Sequence, residues 1–201
     1  MRHSQTGFTL VELAIVLVVI GLILGMAFKG KDLIDSAKVK GLAAQYNKIV
    51  AGVNIFYEKY GFYPGDGCSN TGTATTPSAC TGTRNGLIEN GNEAASFWTL
   101  LQGTNILTAN ERRSVFGQDW TVWANGNQVW LDFTGSSNAE SRMACALDKM
   151  IDDGNSTTGI VLNGDYNAGG SPTGVTGETW SQTTDCWALK GQANLGIRIM
   201  P

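Results

Sequence analysis

Phe8 to Phe28 reads FTLVELAIVLVVIGLILGMAF, a run of 21 residues in which Glu12 is the only charge. As a helix at 1.5 Å per residue it is about 31 Å long, close to the roughly 30 Å of a bilayer's hydrocarbon core. Its apolar residues cover every face instead of forming a stripe, so it meets lipid or is wholly encased by other apolar surface. A secretory signal peptide and a plain membrane anchor are the two ordinary readings. The first is disfavoured: the run exceeds the usual apolar region of about 7–15 residues, and no small-residue cleavage site closes it before Lys29. Glu12 is what the second leaves unexplained. A carboxylate inside an apolar span costs roughly 2.5–3.5 kcal/mol on insertion scales, so it marks a functional position that needs a positive partner or a proton. The span itself holds no lysine or arginine.

The stretch Gly7-Phe8-Thr9-Leu10-Val11-Glu12 resembles the processing site of type IV pilins and type II secretion pseudopilins. The short leader MRHSQTG, with Arg2 and His3, resembles a prepilin leader. The resemblance implies that a prepilin peptidase in the membrane cuts after Gly7 and that the new terminal residue, Phe8, is N-methylated. It also implies that Glu12 guides assembly by meeting the amine of a neighbouring subunit. That pairing has a physical logic. An ammonium at a helix N-terminus is badly placed against the macrodipole, and a carboxylate is badly placed in grease, so each relieves the other. Many pilins carry a proline partway through this helix; here there is none, and Gly21, Gly25 and Gly30 are the weak points, each costing about 1 kcal/mol against alanine.

From Lys31 to Tyr60 there is no proline, and Leu42, Tyr46, Ile49, Val53, Phe56 and Tyr60 recur at helical spacing. This predicts that the helix continues, with one face laid on a globular head. Gly61, followed by Pro64 and Gly65, stops it. The aromatic residues among them, with Tyr57, are read as core packing and not as a conducting stripe. The chain thus divides into a leader (1–7), an apolar membrane or filament-core helix (8–30), its amphipathic continuation (31–60) and a head (61–201). Residues 8–60 hold six Lys and Arg against four Asp and Glu, while 61–201 hold seven against thirteen. A basic helix and an acidic head suit subunits that pack tails inward and show heads to solvent.

The head holds 20 of the 26 glycines and all six tryptophans. Residues 65–86, rich in Thr, Ser and Gly, predict a surface loop. A short helix is expected over Glu93–Gln102, with Phe97, Leu100 and Leu101 on one face. DWTVWANGNQVWLDF, residues 119–133, predicts a hairpin turning at Asn125-Gly126. A helix capped by Asn138 should run to about Asp152, with Gly154 closing it. Strands are expected at Gly159–Leu162 and Trp187–Met200. The fold class is α+β: a small antiparallel sheet of about four strands packed on the second half of a long N-terminal helix.

Cys68, Cys80, Cys145 and Cys186 form neither a C-x-x-C pair nor a zinc-like cluster. An even count in an exported, loop-rich head reads as two disulfides in an oxidising space. Of three pairings, Cys68–Cys80 with Cys145–Cys186 is favoured: the first clips the Thr-rich loop, and the second ties the late helix to the C-terminal region. The second also resembles the C-terminal disulfide loop of many type IV pilins. Asp148, Asp152, Asp153 and Asn155 are weak calcium candidates, with Asp165 and Asp185 as conceivable additions. They lack an EF-hand pattern and suit ordinary helix-end chemistry, so no cofactor is expected. Asn155-Ser156-Thr157 matches a glycosylation sequon, a weak signal here.

Several function classes fall away. A net charge of -3 argues against a nucleic-acid binder. With His3 as the single histidine, triads and imidazole metal sites lack material, and no enzyme is expected. The resemblance implies a structural pilus subunit, or alternatively a minor pilin or pseudopilin whose head is adhesive or recognises a substrate. Exposed tryptophans in the head would favour the alternative; buried ones favour plain structure. Its implied partners are the prepilin peptidase and copies of itself or other pilins. The implied location is the bacterial inner membrane as precursor, then a periplasmic or extracellular filament.

Overall fold

The structure, a computed structural model, describes residues 8–68, 72–89, 91–125, 127–133, 139–164 and 178–200. Helix α1 spans Leu10–Tyr60 and runs through Gly21, Gly25 and Gly30 without a break. Two compact units divide within it, at Ala37 and Lys38.

In the first unit the apolar side chains are bare. Leu10 is 87% exposed and Leu24 53%, with the intervening leucines, isoleucines and valines similar. The helix is long and apolar enough to cross a membrane, and none of the most apolar 18-residue window is buried. So much uncovered apolar surface marks a face awaiting lipid or other helices.

The second unit is built around the Lys38–Tyr60 part of α1. Val39, Leu42, Ile49, Val53 and Phe56 are buried, and Tyr46 and Tyr60 pack at the edge of the core. This is the stripe that the spacing predicts. Gly61 ends the helix at a φ of +76°, a conformation open to glycine, with its N–H on the Tyr57 carbonyl at 2.7 Å. The remaining helices are α2 (Gly91–Gly103), α3 (Ala109–Arg112) and α4 (Ser141–Ile151). Strands β1 (Trp120–Asn125), β2 (Gln128–Phe133), β4 (Val161–Asn163) and β6 (Leu195–Met200) form one antiparallel sheet in the order β1-β2-β6-β4. Alternate residues Val129, Leu131 and Phe133 join the helix residues in a single core. Polar contacts fix the docking: Tyr46 Oη donates to the Arg198 carbonyl (3.0 Å), and Trp120 Nε1 donates to Gln45 Oε1 (3.2 Å). Gln45 Nε2 in turn donates to the carbonyls of Glu111 (2.8 Å) and Arg113 (2.7 Å). Such specific bonds set register as much as they stabilise.

Four expectations need correction. Asn138 lies outside the described residues, and α4 starts later than an Asn138 cap would place it, with Glu140 in the cap position. The residues between are used otherwise: β3 (Ala139–Glu140) pairs antiparallel with β5 (Gln192–Ala193) in a second small sheet. The Trp187–Met200 segment is not one strand. Its start is a 3-10 turn over Cys186–Ala188, because the Asp185 carboxylate accepts the Trp187 N–H at 3.1 Å and tightens the chain. The hairpin register pairs Asn125 with Gln128, so the connection is Gly126-Asn127, one residue later than expected. Finally, the start of the 65–86 loop is not surface: Pro64 to Cys68 are buried. Asp66 and Glu93 hold it there.

Candidate functional site

The N-terminal group begins at the edge of what is described. Gly7, the residue before the expected cut, lies outside the described residues; Phe8 is 85% exposed. Thr9 is the N-cap of α1. Its carbonyl accepts the first intrahelical bond, from the Leu13 N–H at 3.3 Å. Its hydroxyl oxygen accepts from the Glu12 N–H (3.3 Å), and Glu12 Oε2 accepts from both the Thr9 N–H (2.9 Å) and the Thr9 hydroxyl (2.9 Å). This reciprocal arrangement is a capping box. No hydrogen bond or ion pair joins Phe8 to Glu12 among the described residues; the hydrogen-bond partner of Glu12 is Thr9. Thr9 was missed in the sequence, although Thr9-x-x-Glu12 just before an apolar run is the spacing that announces such a box.

In the head, Cys68 is bonded to Cys80 and Cys145 to Cys186. The second bond anchors α4 to the 3-10 turn. One turn further along α4, Lys149 Nζ donates to the carbonyls of Gln182 (2.8 Å) and Thr184 (2.6 Å) and closes the same loop.

Asp148, Asp152 and Asp153 do come together, each offering an oxygen within 4.8 Å of the others. Five of their six carboxylate oxygens accept hydrogen bonds from the chain itself. Asp148 accepts from the Gly154 N–H (2.9 Å) through Oδ1 and from Trp180 Nε1 (2.6 Å) through Oδ2. Asp152 Oδ2 accepts from the N–H groups of Ile160 and Val161 (2.7 Å for the latter) and so covers the outer edge of β4. Asp153 accepts from the Asn155 N–H and the Thr158 hydroxyl, and Asn155 Oδ1 accepts from Thr157. Asp165 lies outside the described residues, and Asp185 serves Trp187. Burial pushes the Asp148 carboxyl up to about 6, against the pull of the Trp180 and Gly154 donors and with help from the nearby charges of Asp152 and Asp153.

A second pair of acids organises the disulfide-clipped loop. Asp66 accepts from the N–H groups of Asn85 (3.1 Å) and Gly86 (2.9 Å), and Glu93 from those of Gly67 (3.2 Å) and Glu89 (2.8 Å). Burial raises both carboxyls. Four of the six tryptophans, Trp98, Trp120, Trp130 and Trp180, are at most 3% exposed, and Trp187 alone is open, at 47%. Trp123 is half-buried.

Residues 2–28 match the family profile described as the prokaryotic N-terminal methylation motif. That match covers the leader and the apolar start of α1 and does not reach the head. Among solved structures it is similar to the major type IV pilin PilA1 from Clostridium difficile, with 11% identity, 84% of this chain and 98% of that chain covered, and a TM-score of 0.39. That likeness is too loose to define the head's relatives. No curated protein matches the sequence.

Proposed function

We propose that this chain is a structural subunit of a type IV pilus or pilus-like filament. A prepilin peptidase cuts after Gly7, Phe8 becomes the methylated N-terminus, and the precursor waits in the inner membrane by its apolar helix. Assembly then exchanges lipid for neighbouring helices of similar apolarity, while Glu12 gains the amine of an adjoining subunit. The observation that carries this reading is the uncovered apolar surface of α1 from Leu10 to Met26, with one carboxylate at its start. A stand-alone anchor has no use for that acid.

The buried tryptophans favour a head that is structural over one built as an adhesive or substrate-recognising face. The acidic group of α4 is assigned to closing the 152–161 loop, since backbone and side-chain donors of the chain already meet its oxygens; calcium is not required to hold it. The test is a Glu12→Ala variant expressed beside the natural chain. It should be cut and held in the membrane normally but be left out of filaments. Incorporation equal to the natural chain would refute the pairing.

A further inference from the structure

One motif of the head has no part in the reading above. Asn155-Ser156-Thr157 is the only place in the chain where an asparagine stands two residues before a serine or threonine. It lies in the turn between α4 and β4, and that turn is pinned from inside. Ser156 is 1% exposed: its N–H donates to the Trp180 carbonyl (3.2 Å) and its hydroxyl accepts the Trp180 N–H (3.2 Å). Its carbonyl accepts the Asn163 N–H at 2.8 Å. Asp153 Oδ1 accepts the Asn155 N–H at 2.9 Å, and the Asn155 carbonyl accepts the Thr158 N–H at 3.1 Å. With the middle residue of the motif held inward, Asp153, Thr157, Thr158 and Gly159 are exposed and Asn155 is half-buried.

The two functional ends of the motif meet on this turn. Asn155 Oδ1 accepts from both the Thr157 N–H (3.2 Å) and the Thr157 hydroxyl (3.0 Å), so carboxamide and hydroxyl already stand side by side. Shaping a turn uses the carboxamide oxygen in this way and leaves the nitrogen over. Asn155 Nδ2 donates to nothing among the described residues.

We infer that Asn155 is the acceptor for an N-linked oligosaccharide, added outside the membrane; the inference rests on the export of the head in the proposed function. In that step Nδ2 forms a bond to the anomeric carbon of a sugar carried on a lipid pyrophosphate. The bond from that carbon to the pyrophosphate oxygen breaks, and the lipid pyrophosphate leaves with the electron pair. One Nδ2 proton passes to a base of the transferase. Thr157 is a positioning residue, because its hydroxyl lies on the carboxamide that reacts; serine keeps that hydroxyl and alanine removes it. Since Nδ2 makes no contact that the sugar must break, the turn keeps every one of its hydrogen bonds.

The experiment uses filaments sheared from cells that make the natural chain, Asn155→Gln, Thr157→Ala or Thr157→Ser, with the subunits reduced and digested by trypsin. Residues 150–190 come off as one peptide, since no lysine or arginine lies between Lys149 and Lys190. The natural peptide should be heavier than its sequence by a whole number of sugar residues, and fragment ions should keep the sugar on Asn155. Thr157→Ser should retain the sugar. Asn155→Gln and Thr157→Ala should lose it, yet enter filaments with both disulfides formed. A bare natural peptide from subunits that begin at Phe8 would overturn the inference and leave the filament reading standing. Sugar carried on a serine or threonine of the peptide, or sugar that survives Asn155→Gln, would overturn it as well. A natural chain found uncut, with its cysteines reduced and absent from filaments, would instead remove the export on which the inference rests.

Discussion

Asp148 offers a sharp test of how the head is held, because its carboxyl is enclosed yet bonded to two donors. In the fold its pKa stands at about 6, against 3.8 for an ordinary aspartate. A carboxyl raised on folding binds more protons in the native state than in the unfolded one. Its contribution is therefore full below pH 3.8 and is lost as pH rises through about 6. At 1.36 kcal/mol for each pH unit of separation, the loss is about 3 kcal/mol as an upper value. Replacing it by Asp148→Asn removes the titration while keeping one acceptor. That acceptor serves only one of the Gly154 and Trp180 donors, so a constant penalty of about 1–3 kcal/mol also appears. Urea unfolding followed by tryptophan fluorescence, on the oxidised head from Lys38 onward, gives stability at each pH from 3.5 to 7. The natural protein's advantage over Asp148→Asn should shrink by up to about 3 kcal/mol across that range. An advantage that stays level, or that grows with pH, would refute the reasoning.

Other perturbations follow from the same contacts. Removing the Cys145–Cys186 bond by Cys→Ser at both positions should cost about 4 kcal/mol and removing Cys68–Cys80 about 3, on the loop-entropy account for separations of 41 and 12 residues; urea midpoints report both. Gly65→Ala should destabilise strongly, because φ is +91° and the added Cβ would lie 2.5 Å from the Glu93 carbonyl oxygen; a melting temperature within 1–2 °C of the natural one would contradict that ranking. Millimolar calcium, or its removal by a chelator, should leave the melting temperature unchanged, whereas a rise of several degrees with calcium would reassign Asp148, Asp152 and Asp153 to a metal site.

Much of the architecture was legible because it rests on local pattern. The 4-3-4-3-4 spacing from Leu42 to Tyr60 foretells which side of α1 is buried, and the alternation around Val122 and Leu131 foretells the hairpin. What escaped depends on partners distant in the chain. Ala139 and Glu140 look like the start of a helix until Gln192 and Ala193 arrive beside them. Trp187 looks like strand until Asp185 tightens the turn. Asp148 reads as a weak calcium candidate, and nothing local to Asp66 or Glu93 says that N–H groups from elsewhere in the chain will meet their carboxylates. Thr9 is the opposite case. Its box with Glu12 is local and announced by the Thr9-x-x-Glu12 spacing, although the charge of Glu12 in an apolar run points first to an intermolecular partner.

The central claim is that cutting manufactures the cation which makes an acid tolerable in an apolar helix. Its most direct test is the mass of the N-terminal peptide from subunits recovered out of the membrane and out of filaments. The predicted peptide begins at Phe8 and carries one additional methyl group on its amine. A mature chain that still begins at Met1, or that starts at any residue other than Phe8, would contradict the account.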